Sequence, residues 1–333
     1  MENVFRKNDG LSTRLRGADF SYRYFHQCFI ILFLALMIAV MSLVSDTFRT
    51  AYNYGNVINS SFTLIMAALG QFLVILTAGI DISITGMIAL TNCLSVYIMT
   101  NDNTPSGMVF SIIATLATGI LCGALNGFFI AVLRLPAIIV TIATSTIFLG
   151  CSLILMPMPC GTVYSAFSKF LRWKAGGVVP ISLFLTILFV ALLVILTNKT
   201  TFGKSLRAIG GNESAAYGTG VRVMRTKFLA YMLCGLLCSI GGLYLSARTS
   251  CGDPNAGSTY TVYSISAAVV GGTLMSGAVG EAYGVACGAV IIYLINNILN
   301  MLNVQAFYQF ACQGAVLIFA LMIGSFETRR RSM

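Results

Sequence analysis

Few residues in this sequence could carry out charge chemistry inside an apolar chain. GIDISITG, Gly79 to Gly86, sets Asp81 between two long apolar runs. A charge at the centre of a membrane helix costs about 2.5–3.5 kcal/mol, so a buried Asp81 needs a partner or water. Gly79 and Gly86 permit irregular backbone, which is tolerated at membrane depth only where protein buries it or a cavity adjoins it. The alternative is that Asp81 caps a helix at the inner surface, with Ser83 as a second acceptor. Further on, Asn126-Gly127 ends one apolar run and Arg134-Leu135-Pro136 turns into the next, where Thr141, Thr144, Ser145 and Thr146 recur at helical spacings. Asn59, Gln71, Asn92, Asn296, Asn297 and Gln313 add amides within apolar runs. Amides and hydroxyls can replace the hydrogen bonds of a neutral polyol without offering a counter-ion. They can equally bond their own backbone or join helices to one another.

Other chemistries are excluded. The single His26 has no serine or acid constellation near it, and no second membrane acid faces Asp81. Neither a Ser-His nor a paired-Asp site can be assembled, so an intramembrane enzyme is not expected. No CxxC pair exists and one His leaves no zinc constellation, so no metal or cofactor is expected. Gly203–Ser205 reads GKS like the end of a P-loop, but the first glycine of that motif would fall at Asn198. Any nucleotide must be bound by a partner chain. Most of the ten Cys sit in apolar runs as small packing residues. Cys160 and Cys251 both fall on the outer face, and whether they approach closely enough for a disulfide is open from the sequence.

The elements that hold these residues are membrane spans. At 57% hydrophobic and 9% charged residues, the 333-residue chain falls far from soluble domains, which run near one quarter charged. An all-α polytopic protein of about ten spans fits the length. The expected spans are about Tyr24–Val44, Val57–Thr77, Ile82–Thr100, Met108–Val132, Pro136–Met156, Val179–Thr197, Phe228–Ala247, Thr261–Thr273, Val285–Leu302 and Ala306–Gly324. Residues 1–23 form a cytoplasmic segment, 24–326 the membrane domain and 327–333 a cytoplasmic tail. The first apolar run has full span length and no small-residue cleavage site, so no cleavable signal is expected. Pro157–Gly177 reads as an amphipathic segment on the outer interface, with Trp173 and Tyr164 at headgroup depth. Under this threading fifteen of the twenty cations lie inside and five outside, and both termini are cytoplasmic. The +10 charge is thus a topology signal with no extended basic face for nucleic acid. Two halves of five spans would then run in opposite directions.

One long polar interruption divides the halves: Asn198–Lys227, with Lys199, Lys204, Arg207, Arg222, Arg225 and Lys227 against Glu213 alone. Such a basic loop belongs on the cytoplasmic side. Gly210-Gly211-Asn212 reads as a turn, with Asn212 capping the short helix after it. Glu213 falls in the first helical turn, Ala215 and Ala216 favour helix, and Gly218 and Gly220 stop it.

FGKSLRAIGGNESAAYGTGV strongly resembles the coupling loop of ABC-transporter permeases of the simple-sugar class, which carries T-x-F-G-x-x-x-x-A-I-G-G-N-x-x-A-A-x-x-x-G-[IV]. GIDISITG resembles that family's G-I-D-L-S-V-G with Thr85 inserted before Gly86. Ala124–Gly150 resembles its N-G-x-x-I-x-x-x-[RK]-[LI]-x-A-x-I-x-T-L-A-T block. Ala267–Gly284 resembles A-A-x-x-[IVL]-G-G-x-x-x-x-G-G-x-G, with Ala278 for one glycine. The resemblance implies a permease subunit importing a neutral sugar such as a pentose or hexose. It implies an ATP-binding subunit, a second permease (identical or sister chain) and a periplasmic substrate-binding protein as partners, in a bacterial inner membrane. Gly203, Arg207, Gly210, Gly211, Asn212, Glu213, Ala215, Ala216 and Gly220 would then shape the ATPase-coupling loop. Asp81, Ser83, Asn126 and Thr144 would lie near the path. A nucleoside or another hydroxylated molecule is an alternative cargo, and an ion-coupled secondary transporter the alternative class. Glu281, on the inner side, either approaches the ATPase, pairs with an inner cation or stands unpartnered.

Overall fold

The computed structural model describes residues 30–305 except 44, 45 and 47, together with scattered positions between 308 and 322. The expected segment 1–23, most of the tenth span and the tail 327–333 lie outside the described residues. Helix α1 (Ile30–Leu43) leads into α2 (Ala51–Ile75), which starts at Thr50 because its hydroxyl accepts from Asn53 N. A short non-helical linker separates α2 from α3 (Ile84–Asn101). Next, α4 (Pro105–Gly127) is opened by Thr104 and by Pro105, whose missing N–H costs nothing in a first turn. A π-helical turn, Phe128–Val132, extends it. After a turn at Arg134 (φ +57°), α5 (Ala137–Leu155) begins.

The outer segment expected to be one amphipathic stretch is instead α6 (Ser165–Leu171) plus a two-residue ladder of β1 (Lys174–Ala175) with β2 (Val179–Pro180). Trp173 is exposed there. Then come α7 (Ile181–Lys199), α8 (Thr201–Gly211), α9 (Glu213–Gly218), α10 (Val223–Thr249), α11 (Tyr260–Val270) and α12 (Ala282–Met301). Cys160 pairs through its backbone with Gly252, the neighbour of Cys251, yet both thiols are free.

Among the described residues seven helices are long and apolar enough to cross a membrane: α2, α3, α4 with its π turn, α5, α7, α10 and α12. The protein is therefore all-α and polytopic. The expected eighth span is corrected. α11 has only eleven residues, roughly 16 Å against a hydrocarbon core of about 30 Å. Its N-terminus is reached by a non-helical leg, and its C-terminus is turned by Gly271 and Gly272 (φ +83°).

α2 is the axis, with 89% of its most apolar window buried against 17% for α7 at the rim. The two halves interleave. α2 packs on α11 and α12 from the second half, while α10 packs on α3 and α4 from the first. The closest crossing is α4 with α10. Gly119, Gly123 and Gly127 recur every fourth residue and face Gly235, Tyr231 and Phe228. A Cβ on Gly123 would stand 2.9 Å from Met232 Cα and overlap the Tyr231 carbonyl. Small residues at this spacing let backbones touch where lipid offers no hydrophobic driving force.

Candidate functional site: a buried break joined to a polar two-helix loop

The α2–α3 linker is held from inside the protein. Ala78 takes a positive φ of 59°, and Gly79 N returns to Val74 O at 3.2 Å. Asp81 is 0% exposed. Its Oδ1 accepts from Ser83 N at 2.8 Å and Ser83 Oγ at 2.6 Å. Asn126 Nδ2, on α4, donates to Ser83 Oγ at 2.7 Å. The Gln71 amide, oriented to satisfy both its ends, donates to Asp81 O at 3.0 Å and accepts from Asp81 N at 3.2 Å. Asp81 Oδ2, Asn126 Oδ1 and Tyr231 OH have no hydrogen-bond partner among the described residues. A carboxyl shut away from water depends on such donors, and here Ser83 supplies both of them to Oδ1. Of the two readings of Asp81, the buried one agrees with this geometry and the exposed helix cap does not. Asp81 is interior, and Ser83 occupies the N-cap position of α3.

Asp81, Ser83 and Asn126 thus meet in one cluster. Thr144 does not join it by any hydrogen bond among the described residues. It is buried on α5 and bonds its own helix, at Val140 O (3.0 Å) and Thr141 O (3.4 Å). The other amides mostly fasten helices. Asn59 Oδ1 accepts from Ser182 and Tyr244, Asn92 Oδ1 from Asp253 N, and Asn297 donates to Asn53. Gln313 lies outside the described residues.

Just beyond Ser83, the residue inserted relative to the family pattern has a partner. Thr85 and Thr261, each second in its helix, meet where α3 and α11 begin. Thr85 N donates to Thr261 Oγ1 at 3.1 Å, Thr261 N donates to Thr85 Oγ1 at 3.3 Å, and the hydroxyls lie 2.8 Å apart. The exchange is reciprocal, each backbone N–H being met by the other threonine's hydroxyl.

The polar loop also departs from expectation. Gly210 and Gly211 do not form a turn. They close α8, which Thr200 opens by accepting from Gly203 N at 3.3 Å. Gly210 is demanded by contact: a Cβ there would stand 2.5 Å from Ala278 N and overlap the Leu76 carbonyl oxygen. Asn212 alone makes the turn and caps α9, accepting from Ala215 N at 2.9 Å. Glu213 lies in the first turn and pairs with Lys227 at 2.6 Å, and Gly220 leaves the turn at φ +85°. Ala216 is buried, seating α9, while Gly211, Asn212, Glu213, Ala215 and Tyr217 are exposed. Glu281 is 3% exposed and pairs with Arg207 at 3.2 Å, so of its three alternatives it is the pairing with a cation that is seen.

Sequence reasoning missed the α4 glycine ridge, the Thr85–Thr261 pair and Tyr217. For the first, the spacing G-x-x-x-G-x-x-x-G in an apolar run was a sufficient signal.

With that geometry in view, the comparisons define the class. Residues 53–321 match the family model described as branched-chain amino acid transport system / permease component, and the chain belongs to that family. Within it, the chain is 32% identical to the ribose import permease protein RbsC of Escherichia coli strain K12, over 90% of this chain and 96% of that one. It is 31% identical to the galactose/methyl galactoside import permease protein MglC of Salmonella typhimurium strain LT2, covering 90% and 94%. It is 29% identical to the D-allose transport system permease protein AlsC of Escherichia coli strain K12, covering 87% and 89%. The resemblance to simple-sugar ABC permeases therefore holds over most of the chain, and the protein is a multi-pass membrane permease. No solved structure matches it.

Proposed function

We propose that this chain is the membrane subunit of an ATP-driven importer for a neutral monosaccharide, working in a bacterial inner membrane with both termini in the cytoplasm. Two such permeases, identical or sister chains, stand on ATP-binding subunits and receive sugar from a periplasmic binding protein. One observation carries the reading. The exposed face of α9 continues into α8, and Gly210 of α8 lies in backbone contact with the end of α2, from which the Asp81 linker departs. A partner that moves α9 has a short mechanical route to the break in the membrane domain. Closure of the ATPases would move this element and rock the spans between outward and inward access. In the path, Asp81, Ser83 and Asn126 supply oxygen and amide groups suited to hydroxyls and offer no cation, with Thr144 placed near them by the family resemblance.

Glu213→Arg and Gly211→Arg should each uncouple transport while leaving the spans inserted, because both alter the exposed docking face. The measurement is sugar uptake by proteoliposomes holding the permease with its ATP-binding subunit. Wild-type uptake by both variants removes the docking role. Uptake by the wild-type permease without the ATP-binding subunit replaces the reading with a secondary transporter.

A further inference from the structure

We propose that Arg207 and Glu281, bridged by Asn198, form the joint through which α8 drives the membrane helices, and that they are positioning residues of the transport cycle. The inference rests on the coupling reading above. It adds which side chains transmit the motion and to which helices.

The joint ties four elements. Arg207, near the C-terminal end of α8, donates from Nη2 to Glu281 Oε1 at 3.2 Å and to Asn198 Oδ1 at 2.9 Å. Asn198, in the last turn of α7, donates from Nδ2 to Glu281 Oε2 at 2.8 Å. Glu281 occupies the N-cap position of α12. Arg207 Nη1 also donates to Ala278 O at 3.3 Å, so one guanidinium grips both ends of the short stretch that precedes α12. From the other side of the same residue, Ala278 N donates to Leu76 O at 3.1 Å. Leu76 is the C-cap of α2 and continues into the Asp81 linker. A displacement of α8 therefore reaches α12 in one half of the molecule through this fork, and α2 in the other through Ala278 beside the direct Gly210 contact.

Burial decides that this contact transmits force and the neighbouring ion pair does not. Glu281 has a side chain 4% exposed, and Arg207 one 23% exposed. Separating them leaves a carboxylate out of water without its counter-ion, which is strongly unfavourable, so α8 and α12 move together. The Glu213–Lys227 pair has its acid 54% exposed. Water can replace that contact, so it holds α9 only weakly. The fork geometry matters as well as the charge. An ammonium in place of the guanidinium could reach one acceptor firmly but could not span Glu281, Asn198 and Ala278 at once.

The experiment uses the full-length permease with its ATP-binding subunit and binding protein in proteoliposomes. The probe is radiolabelled D-ribose, with D-allose and D-galactose in parallel. Sugar moved per ATP hydrolysed is measured for wild type, Glu281→Gln and Arg207→Lys. The glutamine keeps the shape and loses the charge; the lysine keeps the charge and loses the fork. Both should move about ten-fold less sugar per ATP, the size of a typical coupling term, while hydrolysis continues. A merely structural joint would lower the amount of folded complex and leave the ratio untouched, and that result overturns the proposal. If Glu281→Gln fails to accumulate, Arg207→Lys carries the same test. A wild-type complex that neither moves any of the three sugars nor hydrolyses ATP faster when the permease is present refutes the coupling reading, and the joint falls with it. Unchanged stoichiometry in the variants beside a working wild type refutes the joint alone.

Discussion

Gly210→Val is expected to leave the permease in the membrane and to reduce ATP-driven uptake about 100-fold. The glycine sits in an ordinary helical turn of α8, so backbone conformation does not demand it. Packing does. Its missing Cβ would stand 2.5 Å from Ala278 N, 3.1 Å from Gly277 Cα, and in overlap with the Leu76 carbonyl oxygen. Backbone atoms cannot swing aside as a flexible side chain does, so α8 must lift away from α2 and from the turn before α12. Overpacking of this kind costs about 3 kcal/mol. Since each 1.4 kcal/mol is about ten-fold, seating of α8 weakens by roughly two orders of magnitude. The spans themselves lose nothing, so insertion should persist. Gly211→Ala, one residue on, meets only the Ala278 Cβ at 3.9 Å, an ordinary contact, and should leave α8 seated. The check is uptake by proteoliposomes alongside the amount of permease in the membrane. Uptake by Gly210→Val above one tenth of wild type would contradict the argument.

Gly235→Leu should act on the fold itself. A Cβ at Gly235 would overlap the Gly119 carbonyl and stand 2.9 Å from Gly123 N. The two helices meet there backbone to backbone, so a leucine forces α4 and α10 apart along the whole ridge. A loss of about 3 kcal/mol corresponds to a fall in Tm of roughly 4 °C for a chain of this size. Leu121→Ala, on the lipid side of the same α4 (68% exposed), provides the contrast. That change should stay within about 0.5 kcal/mol. The measurement is thermal unfolding of the purified protein in detergent. Equal melting of the two variants would mean that the crossing does not govern stability.

What is readable without the structure divides along a physical line. The seven spans seen are legible because each is a local apolar run of the right length bounded by turn chemistry or charge. The cap at Asn212 is legible for the same reason: an acceptor, an acid and two alanines succeed one another in sequence. Gly210-Gly211 misleads because adjacent glycines favour a turn locally, whereas here the small size serves a contact with residues 76 and 278. Arg207 and Glu281 lie 74 positions apart, and nothing in either neighbourhood names the other. Asp81 is recognisable as costly to bury, but its depth depends on Gln71, Ser83 and Asn126 closing around it. Thr85 looks like a disturbance of the motif until Thr261 is set opposite it. Thr144 stands on the other side of the line. Its hydroxyl is spent on its own helix, so its inclusion in the path rests on family resemblance alone.

The interleaving of the halves bears on how the chain is made. α4 emerges from the ribosome well before α10, yet its glycine ridge finds its mate only on α10. α2 likewise waits for α11 and α12 before its flanks are enclosed. During synthesis the early helices must stay in lipid with their tightest surfaces uncovered, and the order of completion runs from the late part of the chain back to the early part. Ribosome-stalled chains ending at Gly220, with the other cysteines replaced, should therefore expose the native Cys122 beside that ridge to a lipid-soluble thiol reagent, and chains completed through Met301 should protect it.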